Sequence, residues 1–235
     1  MKRDLSKLYE KNLELTRKAV KDSIKQDNLI IQAAKSIDEI KVVINRVAKR
    51  LREWYELYNP EFSRSIADHV KFAALIQENQ KKAKDSMGAD LSRKDIDAFL
   101  VLADEINSLN KAKKKLNDYL ESVMKQHCAN LQHLAGTNIG AKLIEQAGGL
   151  KHLMEMPSST VQLLGAEKAL FRHLKTGAKC PKYGIILQHQ LVSSAKDRAR
   201  AARVLADKIS IAVRVDYFKG EFVADKLKKE VEEKV

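Results

Sequence analysis

Apolar residues in the first half of the chain recur at heptad spacing. Ile30, Ile37, Ile44, Leu51 and Tyr58 repeat every seven positions, and Ala33, Ile40, Val47 and Trp54 do the same at an offset of three. This a/d pattern predicts a long helix over about 28–58 with a single apolar seam. From Ile30 to Tyr58 such a helix runs roughly 43 Å at 1.5 Å per residue, so it needs a partner of matching length. The same chain supplies one. After Ser92 and Asp95, a capping-box type of start signal, Phe99, Leu102, Ile106, Leu109, Leu116, Leu120, Val123, Leu131 and Leu134 form a second 3/4-spaced stripe over about 93–134. Lys113 and His127 occupy two of its slots.

Between the two, Asn59-Pro60-Glu61 ends the first helix, a shorter helix carries Ile66, Val70, Phe72, Ala73, Leu75 and Ile76, and Gly88 marks the next turn. An antiparallel helical hairpin with a helical cap brings the stripes face to face. Residues 3–24 add a further amphipathic stretch (Leu5, Leu8, Leu13, Val20, Ile24). Only one glycine precedes Ala135, whereas eight follow from Gly136 onward, so a domain boundary is expected there. Beyond it the pattern gives short helices over Ile139–Ala147, Ala166–Leu174 and Ala195–Val215, each stopped near a glycine. Ile185-Ile186-Leu187 reads as a buried turn or short strand. Strand alternation of useful length is absent, and the expected class is all-α: a coiled-coil domain over 1–135, a compact helical domain over 136–221, and a charged tail over 222–235, in which Asp225 to Val235 form a frayed helix or are disordered.

Charge adds a partner class. The chain has 235 residues, with 44 Lys and Arg against 31 Asp and Glu, a formal net charge of +13. Residues 136–221 hold 14 basic and 7 acidic side chains and are the denser cation. Such an excess favours a polyanion, nucleic acid before an anionic membrane surface. No apolar run reaches the roughly 18 residues of a membrane span, so a soluble, cytoplasmic protein without a signal peptide is expected. Cys128 and Cys180 lack CxxC spacing, which argues against a zinc site and fits a reducing compartment.

Candidate chemistry is sparse. Gly136-Thr137-Asn138-Ile139-Gly140-Ala141-Lys142 invites comparison with a phosphate-binding loop, but its spacing is wrong for that motif, and helix entry with close packing explains the glycines. His127 and His133 flank Cys128 at spacing unsuited to metal ligation, and Cys180 with His173 or His189 lacks a recognisable oxyanion donor. Neither metal, cofactor nor catalysis is expected. The informative segment is Gly165 to Gly177. On a helix Lys168, Arg172 and Lys175 share one face, while Leu170, Phe171 and Leu174 anchor the other. His173 is placed to stack on an unpaired base, and Lys179, Lys182 and Tyr183 extend the surface. Further on, Lys196, Arg200, Arg203 and Arg214 form one row interrupted by Asp207, with Arg198 and Lys208 off it. The bland alternative is a solvated basic face on a helical adaptor that binds only protein.

Longer motifs decide between these readings. Gly148-Gly149-Leu150, the run Met156 to Leu174 containing Gly165-Ala166-Glu167-Lys168-Ala169-Leu170-Phe171-Arg172-His173, Pro181-Lys182-Tyr183-Gly184-Ile185-Ile186 with Gln188-His189, Ala212 to Phe218, and Leu51-Arg52-Glu53-Trp54-Tyr55-Glu56-Leu57-Tyr58 together resemble the Nop domain family, in particular archaeal core proteins of box C/D guide-RNA ribonucleoproteins. The resemblance implies a coiled coil for self-association, and the apolar spacing puts Ile30, Ile37, Ile40, Ile44, Val47, Leu51, Phe99, Leu102, Ile106, Leu109, Leu116 and Leu120 along its seam. It also implies a Nop domain that binds box C/D guide RNA and the small ribosomal-type kink-turn-binding protein seated on it. Gly165, Ala166, Glu167, Lys168, Phe171, Arg172, His173, Lys175, Lys182, Tyr183, Gln188, Lys196, Arg200 and Arg203 are the expected contact residues. In such a particle the scaffold catalyses nothing and fibrillarin performs 2′-O-methyl transfer. Full-length relatives dock fibrillarin through a preceding α/β domain, and this sequence opens in the helix that follows it, so fibrillarin is expected as a partner of the longer protein.

Overall fold

A computed structural model describes every residue except 1–4, 79–81 and 83–85. Among the described residues every regular element is helical: α1 (Leu5–Ser23), α2 (Gln26–Tyr55), α3 (Pro60–Ser65), α4 (His69–Glu78), α5 (Arg93–His127), α6 (Ala129–Ala135), α7 (Thr137–Ala147), α8 (Leu150–Glu155), α9 (Ser158–Leu163), α10 (Glu167–Thr176), a 3₁₀ turn (Ile185–Gln188), α11 (Gln190–Ser193), α12 (Arg198–Tyr217) and α13 (Ala224–Glu232). They form two compact units, residues 35–119 and residues 1–34 with 120–235. None of these helices is long and apolar enough to cross a membrane.

In the unit of residues 35–119, Ile44, Ala48, Leu51 and Tyr55 of α2 bury against Phe99, Ala103 and Ile106 of α5, with Phe72, Ala73 and Ile76 of α4 closing the end. The seam is rotated from the a/d expectation. Ile40, Val47, Leu102 and Leu109 are only partly buried at its flank, as is Leu116, while Ala48 and Ala103 lie fully inside. Ala48 and Ala103 each stand one position beyond an expected d-type residue, so the buried face of each helix is turned toward that side and the larger d-type side chains stay at its flank. Tyr55 anchors the aromatic part: its ring lies 5.3–5.9 Å from those of Tyr58, Phe62, Phe72 and Phe99, and burial pushes its phenol up to about 12.

Arg52 ties the short helices to α2. Its Nε donates to His69 Nδ1 at 2.9 Å, its Nη1 to the Ser63 carbonyl at 2.6 Å and its Nη2 to the Ile66 carbonyl at 2.5 Å. The guanidinium lies 4.3 Å from the centroid of the Phe72 ring. A planar fork thus collects carbonyls that the end of α3 leaves without helical partners.

In the unit of residues 1–34 and 120–235, α12 is the central element, packed by α6, α8, α9, α11, α13 and the 3₁₀ turn. Nine of its residues, Ala201 to Val213, are buried, including Lys208, whose ammonium pairs with Glu230. The second long helix stops earlier than the apolar stripe suggests, with a break at Cys128. There Asp216 accepts from the Asn130 N–H at 3.1 Å and the Leu131 N–H at 2.8 Å, which starts α6 as a new helix. The composition change at Gly136 is the turn between α6 and α7 inside this unit, since α6 packs on α7, α12 and α13. Of the two readings of the chain end, frayed helix or disorder, the helical one fits and the helix is packed. Residues 224–232 are helix α13, which buries Ala224, Leu227 and Val231, and Asn130 Oδ1 accepts from the Val223 and Ala224 N–H groups at its start. The 3/4 spacing of three small or apolar residues supplies enough of a face to dock an otherwise charged segment.

Arg52→Lys keeps the charge but loses the fork, and should lower stability by about 2–3 kcal/mol in urea unfolding, the scale for charge-assisted bonds leaving buried carbonyls unmet. Burial, with Arg52 acting the same way, holds the His69 imidazole below its ordinary 6.5. The unfolded chain therefore takes up this proton first as the pH falls, and stability declines from about pH 6.5 downward. His69→Gln should flatten that decline between pH 7 and 5, leaving the part due to His189, which burial also holds down.

Candidate nucleic-acid interface

The segment 165–183 leaves and rejoins the core at one point. The Gly184 N–H donates to the Gln162 carbonyl at 2.8 Å and the Ile185 N–H to the Leu164 carbonyl at 2.7 Å, while the Gln162 side-chain amide donates to the Lys182 carbonyl. A Cβ on Gly184 would fall 1.9 Å from the Leu164 carbonyl oxygen, so the two strands of chain can meet only with glycine there. On the other side Gly165 has φ +85°, the left-handed region, and a Cβ would meet Ile185 Cγ1 at 2.5 Å.

Helix α10 starts from this base and has no buried residue. Its N-terminus is organised by Glu167, whose Oε1 accepts from the Gly165 N–H at 2.6 Å; the carboxylate thus serves the loop that launches the helix. Gly177 ends it with φ +67°, donating its N–H to the His173 carbonyl at 2.9 Å. At 100° per residue, Leu174, Phe171, Lys175, Lys168 and Arg172 follow one another around a single arc, and all five are exposed. Ala169, Leu170 and His173 fill the opposite, half-buried side. The expected split, cations outward and Leu170, Phe171 and Leu174 inward, therefore holds for the three cations and for Leu170 but not for Phe171 and Leu174. Phe171 is 61% and Leu174 70% exposed because the helix is held at its base rather than laid against the core. His173 is turned inward too, with Nδ1 bonded to the Ala178 carbonyl.

The other predicted residues distribute unevenly. Ala166 is half-buried as the N-cap of α10; Lys182 and Gln188 are exposed, and Tyr183 is half-buried. Arg200 and Arg203 lie on the exposed face of α12, in the row continued by Asp207, Ile211 and Arg214. Lys196 is exposed but stands outside that helical row. Asp197 accepts from the Ala199 and Arg200 N–H groups at 3.1 Å each and so fixes the first turn at Arg198. Gly140 faces Met124 and Leu131, as its packing role requires, and no group of described His, Cys, Asp or Glu residues could hold a metal. The reading from spacing missed Leu174 as part of the presented face, since an i, i+3, i+4 apolar set looks the same whether a core covers it or not. It also missed Gln162, which the structure shows closing the loop base.

Gly184→Ala should force the base apart. We expect a loss of about 1–3 kcal/mol, with faster hydrogen exchange at the Gly184 and Ile185 amides than elsewhere in the unit.

The sequence matches a family described as Nop, snoRNA binding domain, fibrillarin, over residues 36–86 and 77–235. It is 40% identical to a NOP5 family protein of Methanocaldococcus jannaschii across 97% of this chain and 62% of that protein. It is 38% identical to Nucleolar protein 56 of Saccharomyces cerevisiae across 94% and 50%, and 40% identical to Nucleolar protein 56 of Dictyostelium discoideum across 83% and 41%. The chain thus spans between two fifths and two thirds of these relatives' lengths. A crystal structure of a fibrillarin/Nop5p complex contains a chain of the same fold, with TM-score 0.60 and 23% identity over 100% of this chain and 81% of that one. With a family match running from residue 36 to the last residue, through both compact units and the whole α10 loop, the chain belongs to the Nop family.

Proposed function

We propose that this chain is a non-catalytic scaffold of a box C/D-type, RNA-guided 2′-O-methylation ribonucleoprotein. The observation that carries the reading is the α10 face, where three cations and two large apolar side chains are presented together on a helix that buries none of its residues. A purely phosphate-binding face has no use for exposed Phe171 and Leu174, and a purely protein-binding face has little for Lys168, Arg172 and Lys175. A kink-turn RNA with its small protein already seated offers both chemistries at once, and the two contacts add as linked interactions. Arg200 and Arg203 of α12 supply further phosphate contacts. The family description and the fibrillarin complex among structures of this fold support the same assignment.

In this reading residues 136–221 hold the RNA and protein contacts and the coiled-coil region 1–135 pairs with a second copy. Val42, Val43, Leu57 and Val101 are apolar and exposed within residues 35–119, which supports the pairing. Fibrillarin carries the methyl-transfer chemistry, while the scaffold sets the distance from guide RNA to enzyme. The site of action is the archaeal cytoplasm, or the nucleolus for a eukaryotic protein.

A gel-shift titration on box C/D kink-turn RNA, with and without the kink-turn-binding protein and at two salt concentrations, tests the platform. A supershift that needs that protein is expected, with a log–log salt slope of roughly −3.5 to −4.5 for about five phosphates. The combination Lys168→Glu, Arg172→Glu and Arg200→Glu should weaken it at least about tenfold, at 1.4 kcal/mol per decade. A shift indifferent to salt and to these changes would leave a protein-binding adaptor. In sedimentation equilibrium the chain should dimerise, and Val43→Glu with Leu57→Glu should return it to monomer.

A further inference from the structure

Two hollows open on the unit of residues 1–34 and 120–235 away from α10, and Phe222 lines both, with Ala129 as their shared floor. One, about 670 Å³, is lined by Lys125 and Lys228, by Gln132 bonded to Thr137 at 3.0 Å, and by His133, which pairs with Asp225 at 3.0 Å; Glu121 is the carboxylate of its lining. The other, about 450 Å³, brings Lys219, His127 and Gln126 beside Asp216. Asp216 is committed to Asn130 and Leu131, from which it accepts three hydrogen bonds, and Lys219 lines the same hollow as its opposing charge. The Phe222 ring is 52% exposed and meets His133 edge to face at 5.4 Å, which steadies its orientation. Phe218 is 72% exposed at the end of α12, steadied in the same way by Tyr217 at 5.2 Å.

Exposed aromatic rings held in place, set among lysines and side-chain amides, are the chemistry of single-stranded nucleic acid. Bases stack on ring faces, ammonium groups follow the phosphates, and an exposed amide such as Gln126 reaches base edges. An acidic protein segment would use the lysines but has no comparable use for the aromatic partition between two hollows. We infer that this groove is a second RNA contact, holding an unpaired stretch of RNA with nucleotides on either side of Phe222. The inference rests on the reading of the chain as RNA-binding and assigns a surface separate from α10 and the Arg200–Arg203 row.

Fluorescence anisotropy of the full chain with a labelled oligouridine at two salt concentrations tests it. Salt-sensitive binding is expected, reduced about tenfold by Phe222→Ala and by Lys125→Glu with Lys228→Glu, and changed less than about twofold by Lys111→Glu with Lys115→Glu, exposed on α5 outside both surfaces. The pair of changes at Lys125 and Lys228 is a control for any packing loss at Phe222. If both groove variants bind as the unsubstituted chain does, or if a polyglutamate peptide displaces the oligonucleotide more readily than unlabelled oligouridine, the inference is overturned. Absence of oligouridine binding while the kink-turn supershift still forms overturns this inference alone. Loss of the supershift with oligouridine binding intact overturns the platform reading instead.

Discussion

The presented surface depends on one close backbone approach. Gly184 and Ile185 donate to the carbonyls of Gln162 and Leu164, and the missing Cβ at Gly184 lets the chain return to the place it left. Everything between is thereby freed from packing duty. A helix laid on the core would have to bury Phe171 and Leu174, and its cations would then be an ordinary solvated rim. Held at the base instead, α10 keeps one arc of mixed chemistry open, with Glu167 and Gly177 ordering its two ends.

Each compact unit uses one polar side chain to organise several helix ends. In residues 35–119 it is Arg52, whose fork gathers carbonyls from the α3–α4 connection over the Phe72 ring. In the larger unit it is Asp216 acting with Asn130. The carboxylate starts α6, its Asn130 partner starts α13, and both contacts fasten these helices beside α12. Burial pushes the Asp216 carboxyl above its ordinary range, yet three donors from Asn130 and Leu131 compensate the buried charge. The same contacts bring Phe222 and Lys219 over α6, so the anchor that orders the end of the chain also shapes the groove beside it.

The combination suits a scaffold. Rigid helix ends fix where the surfaces stand, and those surfaces divide recognition between phosphate charge and apolar contact. Under the proposed function, electrostatic contacts would provide affinity that falls with salt, and Phe171 and Leu174 a salt-tolerant contribution. Neither part alone would then distinguish an RNA bearing its protein from bare RNA, whereas the composite partner would satisfy both.

Periodicity alone determined the all-α class, the two long helices, the short cap between them and the positions of the cationic residues, since helical spacing is a local property and 3/4 recurrence survives without any partner. The ordered motifs from Met156 to Ile186 and from Leu51 to Tyr58 carried the family. Only the tertiary structure decided which neighbours cover a given face. The buried faces of α2 and α5 take in Ala48 and Ala103, one position beyond the expected d-type residues, Asp216 starts a new helix after the break at Cys128, and Asn130 with buried Leu227 and Val231 makes an ordered helix of the charged tail. Phe171 and Leu174 read as core because their spacing carries no information about what lies opposite. That depends on the contact between Leu164 and Gly184, twenty residues apart in sequence, which no local pattern records.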